Sequence, residues 1–281
     1  MFKRIYMEIT NVCNLACSFC PGTSRSKRFM SEAEFRTLAS KLKNHTRYLY
    51  LHVMGEPLLH PGLEDILSAA GEMGFRVCLT TNGTLLSQQQ DKLLHAPCLH
   101  KVSVSLHSFE GNDRKDDLAA FLDGVLDFCR RAASSDVICA LRLWNEGGEN
   151  RRNGEIESYL SACLGTDVSS LPRDPNGNRK LGENVYLESA ERFDWPDTAA
   201  EDRHTQFCHA LRQQIAVLCD GTVVPCCLDG EGRIPLGNLF KQELDDILAS
   251  PRAQAMRRGF AARQPAEELC RRCGYAVRFN R

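Results

Sequence analysis

The chain has 281 residues, with 35 Lys+Arg against 36 Asp+Glu, and 14 cysteines. Charged residues at 25% and hydrophobic ones at 43% exclude wholesale disorder, and the length suits one large α/β domain with at most a small appendage. A net charge of −1 excludes the strongly basic footprint of a general nucleic-acid binder, and no apolar run approaches the ~18 residues of a membrane span. The start, Met1-Phe2-Lys3-Arg4-Ile5-Tyr6, lacks the apolar stretch of a secretory signal, so a reducing cytoplasm is the expected compartment.

Lys3 to Thr10 reads as a first strand, and a cysteine-bearing loop follows it. Ser31-Glu32-Ala33-Glu34 spells a capping box, and Phe35, Leu38, Ala39 and Leu42 recur behind it at helical spacing. Tyr48 to Val53 is a second strand, and Leu63, Ile66, Leu67 and Ala70 form the apolar face of a helix ending near Gly74. Arg76 to Thr80 is a third strand, closed by Asn82-Gly83 and followed by a helix from Leu85 to Leu94. Lys101 to Leu106 gives a fourth strand, Asp116 to Ala132 a helix and Val137 to Leu143 a fifth strand. Residues 153–163 read as helical, and Asn184 to Glu188 as a candidate sixth strand.

Repeated strand–helix units predict a parallel sheet with right-handed crossovers, hence an α/β full or partial barrel. Chemistry in such sheets gathers at the C-terminal strand ends, where the cysteine loop lies. Residues 165–207 are rich in Asp, Pro, Gly and Asn and read as a linker. Beyond it, Gln214 to Leu218 and Thr222 to Val224 flank Asp220-Gly221, a hairpin signal, and a helix from Glu243 to Leu248 stops before Pro251.

The cysteine content lies below the ~8–10% of small disulfide scaffolds, and closely spaced cysteines in a reducing compartment read as metal or cluster ligands. Two groups stand out: Cys13, Cys17 and Cys20, then Cys208, Cys226, Cys270 and Cys273. The other seven, Cys78, Cys98, Cys129, Cys139, Cys163, Cys219 and Cys227, read mostly as small core residues. The first group offers three thiols on one loop. On a [4Fe–4S] cube these leave one iron open, whereas a structural zinc wants four ligands and no fourth Cys or His lies in the loop. Inert thiols are the remaining reading.

Cys13-Asn14-Leu15-Ala16-Cys17-Ser18-Phe19-Cys20 resembles the signature of the radical SAM superfamily, including the aromatic Phe19 before the third cysteine. Further matches follow in order: Met54-Gly55-Glu56-Pro57 after strand two, Thr81-Asn82-Gly83 after strand three, Ser105 at the end of strand four and Arg142 on strand five. The resemblance implies a cube held by the three cysteines with S-adenosylmethionine bound to its open iron. It assigns the methionine amino group to Gly55 and Glu56, the ribose to Ser105, the methionine carboxylate to Arg142, and further cofactor contacts to Phe19 and Asn82. Met54 departs from the family by replacing the first glycine of a Gly-Gly-Glu motif, which shifts the amino-group contact to Gly55 and Glu56.

The C-terminal spacing of Cys208, Gly221, Cys226 and Cys270-x-x-Cys273 resembles the SPASM/Twitch extension, close to that of Twitch-type aminocyclitol dehydrogenases. No cysteine follows Cys273, so one auxiliary [4Fe–4S] cluster is implied, with Cys226 preferred as ligand over Cys227 and Cys219. A zinc ribbon is the competing reading of this group.

The expected architecture is a partial (β/α)6 barrel over residues 1–165, a linker with a possible last strand over 166–207, and a small hairpin–helix auxiliary-cluster domain over 208–281. The implied chemistry is reductive cleavage of S-adenosylmethionine and hydrogen abstraction, fed by a reductant such as flavodoxin or ferredoxin. The expected outcome is a two-electron oxidation of a small molecule, with the auxiliary cluster as electron acceptor. Modification of a peptide or protein side chain is the alternative, disfavoured because the chain begins at strand one, and a zinc-binding module is the non-enzyme reading. No catalytic base is assigned, and His107 reads as a polar residue at the rim.

Overall fold

The computed structural model describes residues 1–112, 117–148, 151–204 and 207–279. Five parallel strands, β1 (Arg4–Met7), β2 (Tyr48–Tyr50), β3 (Arg76–Thr81), β4 (Leu99–Ser105) and β5 (Ile138–Glu146), lie side by side in chain order. Helices α1 (Glu32–Ser40), α2 (Leu63–Glu72) and α3 (Leu86–Leu94) cross between the first four strands. A short α4 (Ser108–Gly111) and a long α5 (Leu118–Ala132) join β4 to β5, and α6 (Asn153–Leu164) follows β5. The expected start of the α5 helix at Asp116 lies outside the described residues. Ser31 caps α1 as the sequence predicts, its side chain accepting the Glu34 amide while Glu34 accepts the Ser31 amide.

The segment read as a linker folds into a hairpin, β6 (Arg179–Gly182) and β7 (Val185–Glu191). β7 pairs parallel with β5 and is the sixth barrel strand. The Asp220-Gly221 hairpin forms β8 (Gln214–Val217) and β9 (Thr222–Val224), with Gly221 at φ 79° and no room for a Cβ against Phe240. β8 pairs parallel with β1 and β9 pairs with β10 (Gly237–Asn238), so the C-terminal hairpin continues the barrel's own sheet. α7 (Leu244–Ala249) ends as expected before Pro251, but that proline opens a further helix, α8 (Pro251–Ala261). Ser250 caps α8, and proline at the first helical position gives up no hydrogen bond. A last short helix, α9 (Glu268–Arg271), leads into the final cysteines.

The strands alternate cleanly between two faces. Ile5, Met7, Leu49, Leu51, Val77, Leu79, Val102, Val104, Cys139 and Leu141 are buried, in the core that the crossover helices complete. The residues between them, Arg4, Tyr6, Tyr50, His52, Thr80, Lys101, Ser105, Arg142 and Trp144, with Glu188 of β7, line a cavity. Parallel sheets packed on both faces read as continuous apolar runs. Alternation in this one marks an open barrel with a polar hollow. No helix among the described residues is long and apolar enough to cross a membrane.

One buried ion pair ties the ends of the chain together. Glu8 is 0% exposed and accepts Arg25 Nη2 at 2.6 Å, the Met54 amide at 3.1 Å and the Cys219 amide at 3.1 Å. Replacing Glu8 by Gln leaves the Arg25 guanidinium without its carboxylate, and breaking a buried pair on one side costs roughly 3–5 kcal/mol. Urea unfolding of Glu8→Gln should show that loss; a midpoint equal to wild type would remove Glu8 from this role.

Candidate active site

The cysteine loop leaves β1 and is pinned at its base. Thr10 Oγ1 donates to Arg28 O at 3.0 Å, Asn11 Nδ2 donates to Ser26 O at 3.0 Å, and the Arg28 amide donates to Asn11 Oδ1 at 2.9 Å. Helix α4 holds the other side: the Ser18 amide donates to Gly111 O, and Asn112 Nδ2 donates to the Cys17 sulfur at 3.0 Å. Gly111 has no space for a Cβ against Phe19, so the aromatic residue of the motif seats on bare backbone. Cys13, Cys17 and Cys20 act on one another electrostatically, and burial pushes the Cys17 thiol up to about 11. Three soft donors on one loop, with Asn82 hydrogen-bonded to Cys13, suit a cluster that binds thiolate.

Gly55 must be glycine. Its φ is 78°, and a Cβ there would lie 2.5 Å from Thr10 O. Met54 is buried at 5% exposure, and its side chain takes the space that a Cβ on Gly230 would need. The departure from a second glycine therefore fills a contact with the C-terminal half. Glu56 is 1% exposed; its carboxylate accepts the Leu58 amide at 3.0 Å and the Asn82 amide at 2.7 Å. Burial pushes its carboxyl up to about 6 against those hydrogen bonds. Asn82 donates to Asn14 Oδ1 at 2.9 Å, which couples the end of β3 to the cysteine loop.

Ser105 and Arg142 are register partners on β4 and β5, and both line the cavity. Arg142 donates to Glu188 Oε2 at 3.1 Å and to Thr80 Oγ1 at 3.2 Å, and lies 4.4 Å over the Trp144 ring. His107, expected at the rim, is instead 8% exposed and packs on Phe19 at 4.8 Å. Burial lowers its pKa to about 4, so the ring is neutral at pH 7.

The cysteines of the second group lie within electrostatic reach of one another. Burial raises the Cys226 thiol well above the usual range, and Cys227, Cys208, Cys270 and Cys273 all act on it electrostatically. Cys227 lines the cavity, where Tyr6 hydrogen-bonds it, and it also acts electrostatically on Cys226 and Cys208. Cys219 is engaged elsewhere, donating to Glu8 O at 3.0 Å. Of the seven cysteines read as core, Cys227 lines the cavity and Cys163 is exposed, one turn past the last buried residue of α6.

The cavity measures about 400 Å³ and runs from Ser18 and Phe19 on the first loop to Cys227 and Tyr275 beside the second group. Its wall includes residues that sequence reasoning missed. Trp195 Nε1 donates to Phe19 O at 2.9 Å, and Arg278 sits over Trp144, Phe193 and Tyr275 at 5.5, 5.1 and 5.0 Å. The signal available was Phe193 and Trp195 in a segment otherwise poor in aromatics.

Family models match both parts of the chain. That of the radical SAM superfamily matches residues 7–154, and that of an iron–sulfur cluster-binding domain, SPASM, matches residues 208–274. The chain belongs to the radical SAM superfamily and carries a SPASM region, so a [4Fe–4S] cluster, S-adenosylmethionine and auxiliary iron–sulfur are its cofactors.

It is 36% identical over 201 residues to a probable GTP 3′,8-cyclase of Sulfurisphaera tokodaii, covering 68% of this chain and 63% of that one. Among solved structures, BtrN in complex with AdoMet and 2-DOIA is similar over 97% of this chain and 93% of that one, at 20% identity and TM-score 0.57. Streptococcus suis SuiB bound to precursor peptide SuiA is similar over 97% and 70%, at 16% identity and TM-score 0.55. The chain spans 36% and 63% of the length of the first two curated relatives it matches.

Glu56→Gln tests the corner beneath the cysteine loop. Glutamine keeps one acceptor oxygen but presents an NH₂ to the other amide, leaving a buried donor unpaired at a cost of about 1–3 kcal/mol. Thermal unfolding should show that loss, and an unchanged midpoint would mean that the two amide bonds contribute nothing.

Proposed function

We propose that this protein oxidises a small molecule by two electrons, the substrate lying in the cavity between the two cysteine groups. The observation that carries the reading is the cavity itself, with the radical SAM loop at one end and Cys227, next to Cys226, at the other. Cys13, Cys17 and Cys20 would hold one cube, and Cys208, Cys226, Cys270 and Cys273 a single auxiliary one. Bound there, S-adenosylmethionine and its cube supply a radical that removes a hydrogen atom from carbon.

The chain's residues do the rest. Gly55, Glu56, Asn82, Ser105 and Arg142 orient the cofactor, and Phe19 separates it from solvent. The aromatic wall of Trp144, Phe193, Trp195 and Tyr275 keeps water from the substrate. After loss of the hydrogen atom, the substrate gives up one electron to the auxiliary cluster and one proton to a base, which completes a two-electron oxidation. A flavodoxin or ferredoxin in the cytoplasm would supply the electron for each cleavage. Peptide modification is the reading to overturn it, since the fold neighbours include a structure with a bound precursor peptide.

Anaerobic preparations should hold about eight irons per chain, and replacement of Cys13, Cys17 and Cys20 together by Ala should leave about four. One zinc and no iron would end the proposal. Cys226→Ser should lose the auxiliary cube while Cys227→Ser keeps it. Variants shown to lack that cube should form 5′-deoxyadenosine yet fail to oxidise substrate; full turnover with one cube would exclude the electron-acceptor role.

A further inference from the structure

The polar wall of the cavity carries unequal charge. Lys101 Nζ and Arg142 Nε both donate to one carboxylate, Glu188, at 2.6 and 3.1 Å. Arg4 shares this wall and has no carboxylate partner among the described residues. Its guanidinium lies 5.7 Å from the Tyr50 ring centre, amid the phenols of Tyr6, Tyr50 and Tyr275, which burial keeps neutral at pH 7, and beside Cys227. Arg192 and Glu110 at the cavity's edge add one charge of each sign. Lys101 and Arg142 thus share Glu188, and Arg4 is left with no carboxylate among the described residues. A half-buried cation without a counter-charge is costly unless something supplies one.

A second group lines the same wall. His52 Nδ1 is buried with no hydrogen-bond partner among the described residues, while its Nε2 meets Thr80 Oγ1 at 3.2 Å. Thr80 Oγ1 accepts Arg142 Nη1, since a guanidinium only donates, which leaves the threonine proton for His52 Nε2. In the tautomer with its proton on Nδ1, the imidazole holds a buried N–H with no partner among the described residues, behind the wall that the ring lines. The ring feels both Arg142 and Arg4.

Strand register separates this place from the cofactor end. Ile5 pairs with Leu49, which sets Arg4 level with Tyr48, and Tyr48 pairs with Arg76. Arg76 precedes Asn82 by six residues, a rise of roughly 20 Å at ~3.3 Å per residue. Arg142, by contrast, pairs with Ser105 at the strand ends.

We propose that the substrate carries an oxyanion, a carboxylate or a phosphate group, and that Arg4 binds it at the end of the cavity beside Cys227. The proposal rests on the cavity being the substrate chamber. Anchored there, the anion leaves the carbon to be oxidised facing the cysteine loop.

The holoprotein with S-adenosylmethionine bound should be melted in acetate, in inorganic phosphate and in the neutral twin acetamide. One anion should raise the midpoint by roughly 2–5 °C near tenfold saturation, and acetamide should not. Which anion does so separates carboxylate from phosphate. Arg4→Gln should weaken that anion about tenfold or more, and Arg4→Lys should restore part of it. Equal effects of anion and acetamide, no effect of any probe, or an Arg4→Gln response equal to wild type would each overturn the proposal. So would an unchanged anion response accompanied by a shifted auxiliary-cluster potential, which would make Arg4 a partner of that cluster instead. If Arg4→Gln does not fold, the wild type decides: added sodium chloride must weaken the anion's effect. 5′-Deoxyadenosine formation by the wild type, without substrate, reports separately on the functional reading, whose failure leaves the anion result standing.

Discussion

The buried carboxylate of Glu8 is the constraint on which the arrangement depends. It sits on the inward side of β1, where a charge survives only if it is paired and hydrogen-bonded on every side. Arg25 meets it from the cysteine loop, Met54 from the turn after β2 and Cys219 from the end of β8. One side chain thus fixes the loop that presents three cysteines, the turn that presents Gly55 and Glu56, and the C-terminal hairpin. Cys219 adds its thiol to Glu8 O, so the same corner is closed through backbone as well as side chain.

The strand alternation explains why a polar cavity can exist within a well-packed fold. Apolar side chains on the outer face bury against the crossover helices and carry the hydrophobic stabilisation, which frees the inner face from that duty. The inner face then holds tyrosines, His52, Thr80 and an ion-pair network at distances set by the sheet register. Such a wall is preorganised: strands fix its side chains more closely than loops would.

Much of this was legible in the sequence, for reasons that residues show. Helices α1 and α5 announced themselves by periodic apolar stripes, with a capping box on α1, and local signals of that kind need no tertiary knowledge. The cysteine loop was legible because three cysteines at short spacing must lie on one loop whatever the fold does. Helix α8 was missed because a proline reads as a stop, although at the first helical position it serves as a start. β7 was legible as the candidate strand at Asn184 to Glu188, whereas its hairpin partner β6 lay in a polar segment without a strand pattern. Glu8, His52 and Arg4 carried no signal, because their meaning comes from which face of which strand they occupy. The burial of His107 was hidden for the same reason: α4 and Phe19 cover it.

The shared sheet changes how the two cysteine groups should be regarded. β1 has β2 on one edge and β8 on the other, so the C-terminal half supplies ladder hydrogen bonds to the strand that launches the first cysteine loop. Met54 packs against Gly230 in the same region, and the Ser24 hydroxyl donates to Glu231 Oε2 at 2.5 Å. A separately tethered appendage would let the separation between the two groups vary with linker motion. Here that separation is set by strand spacing, ~4.8 Å per strand, and by contacts that both halves need for their own packing. A cavity bounded by both groups then keeps one geometry, as the proposed chamber must if a carbon at one end and the proposed electron acceptor at the other are to serve the same substrate.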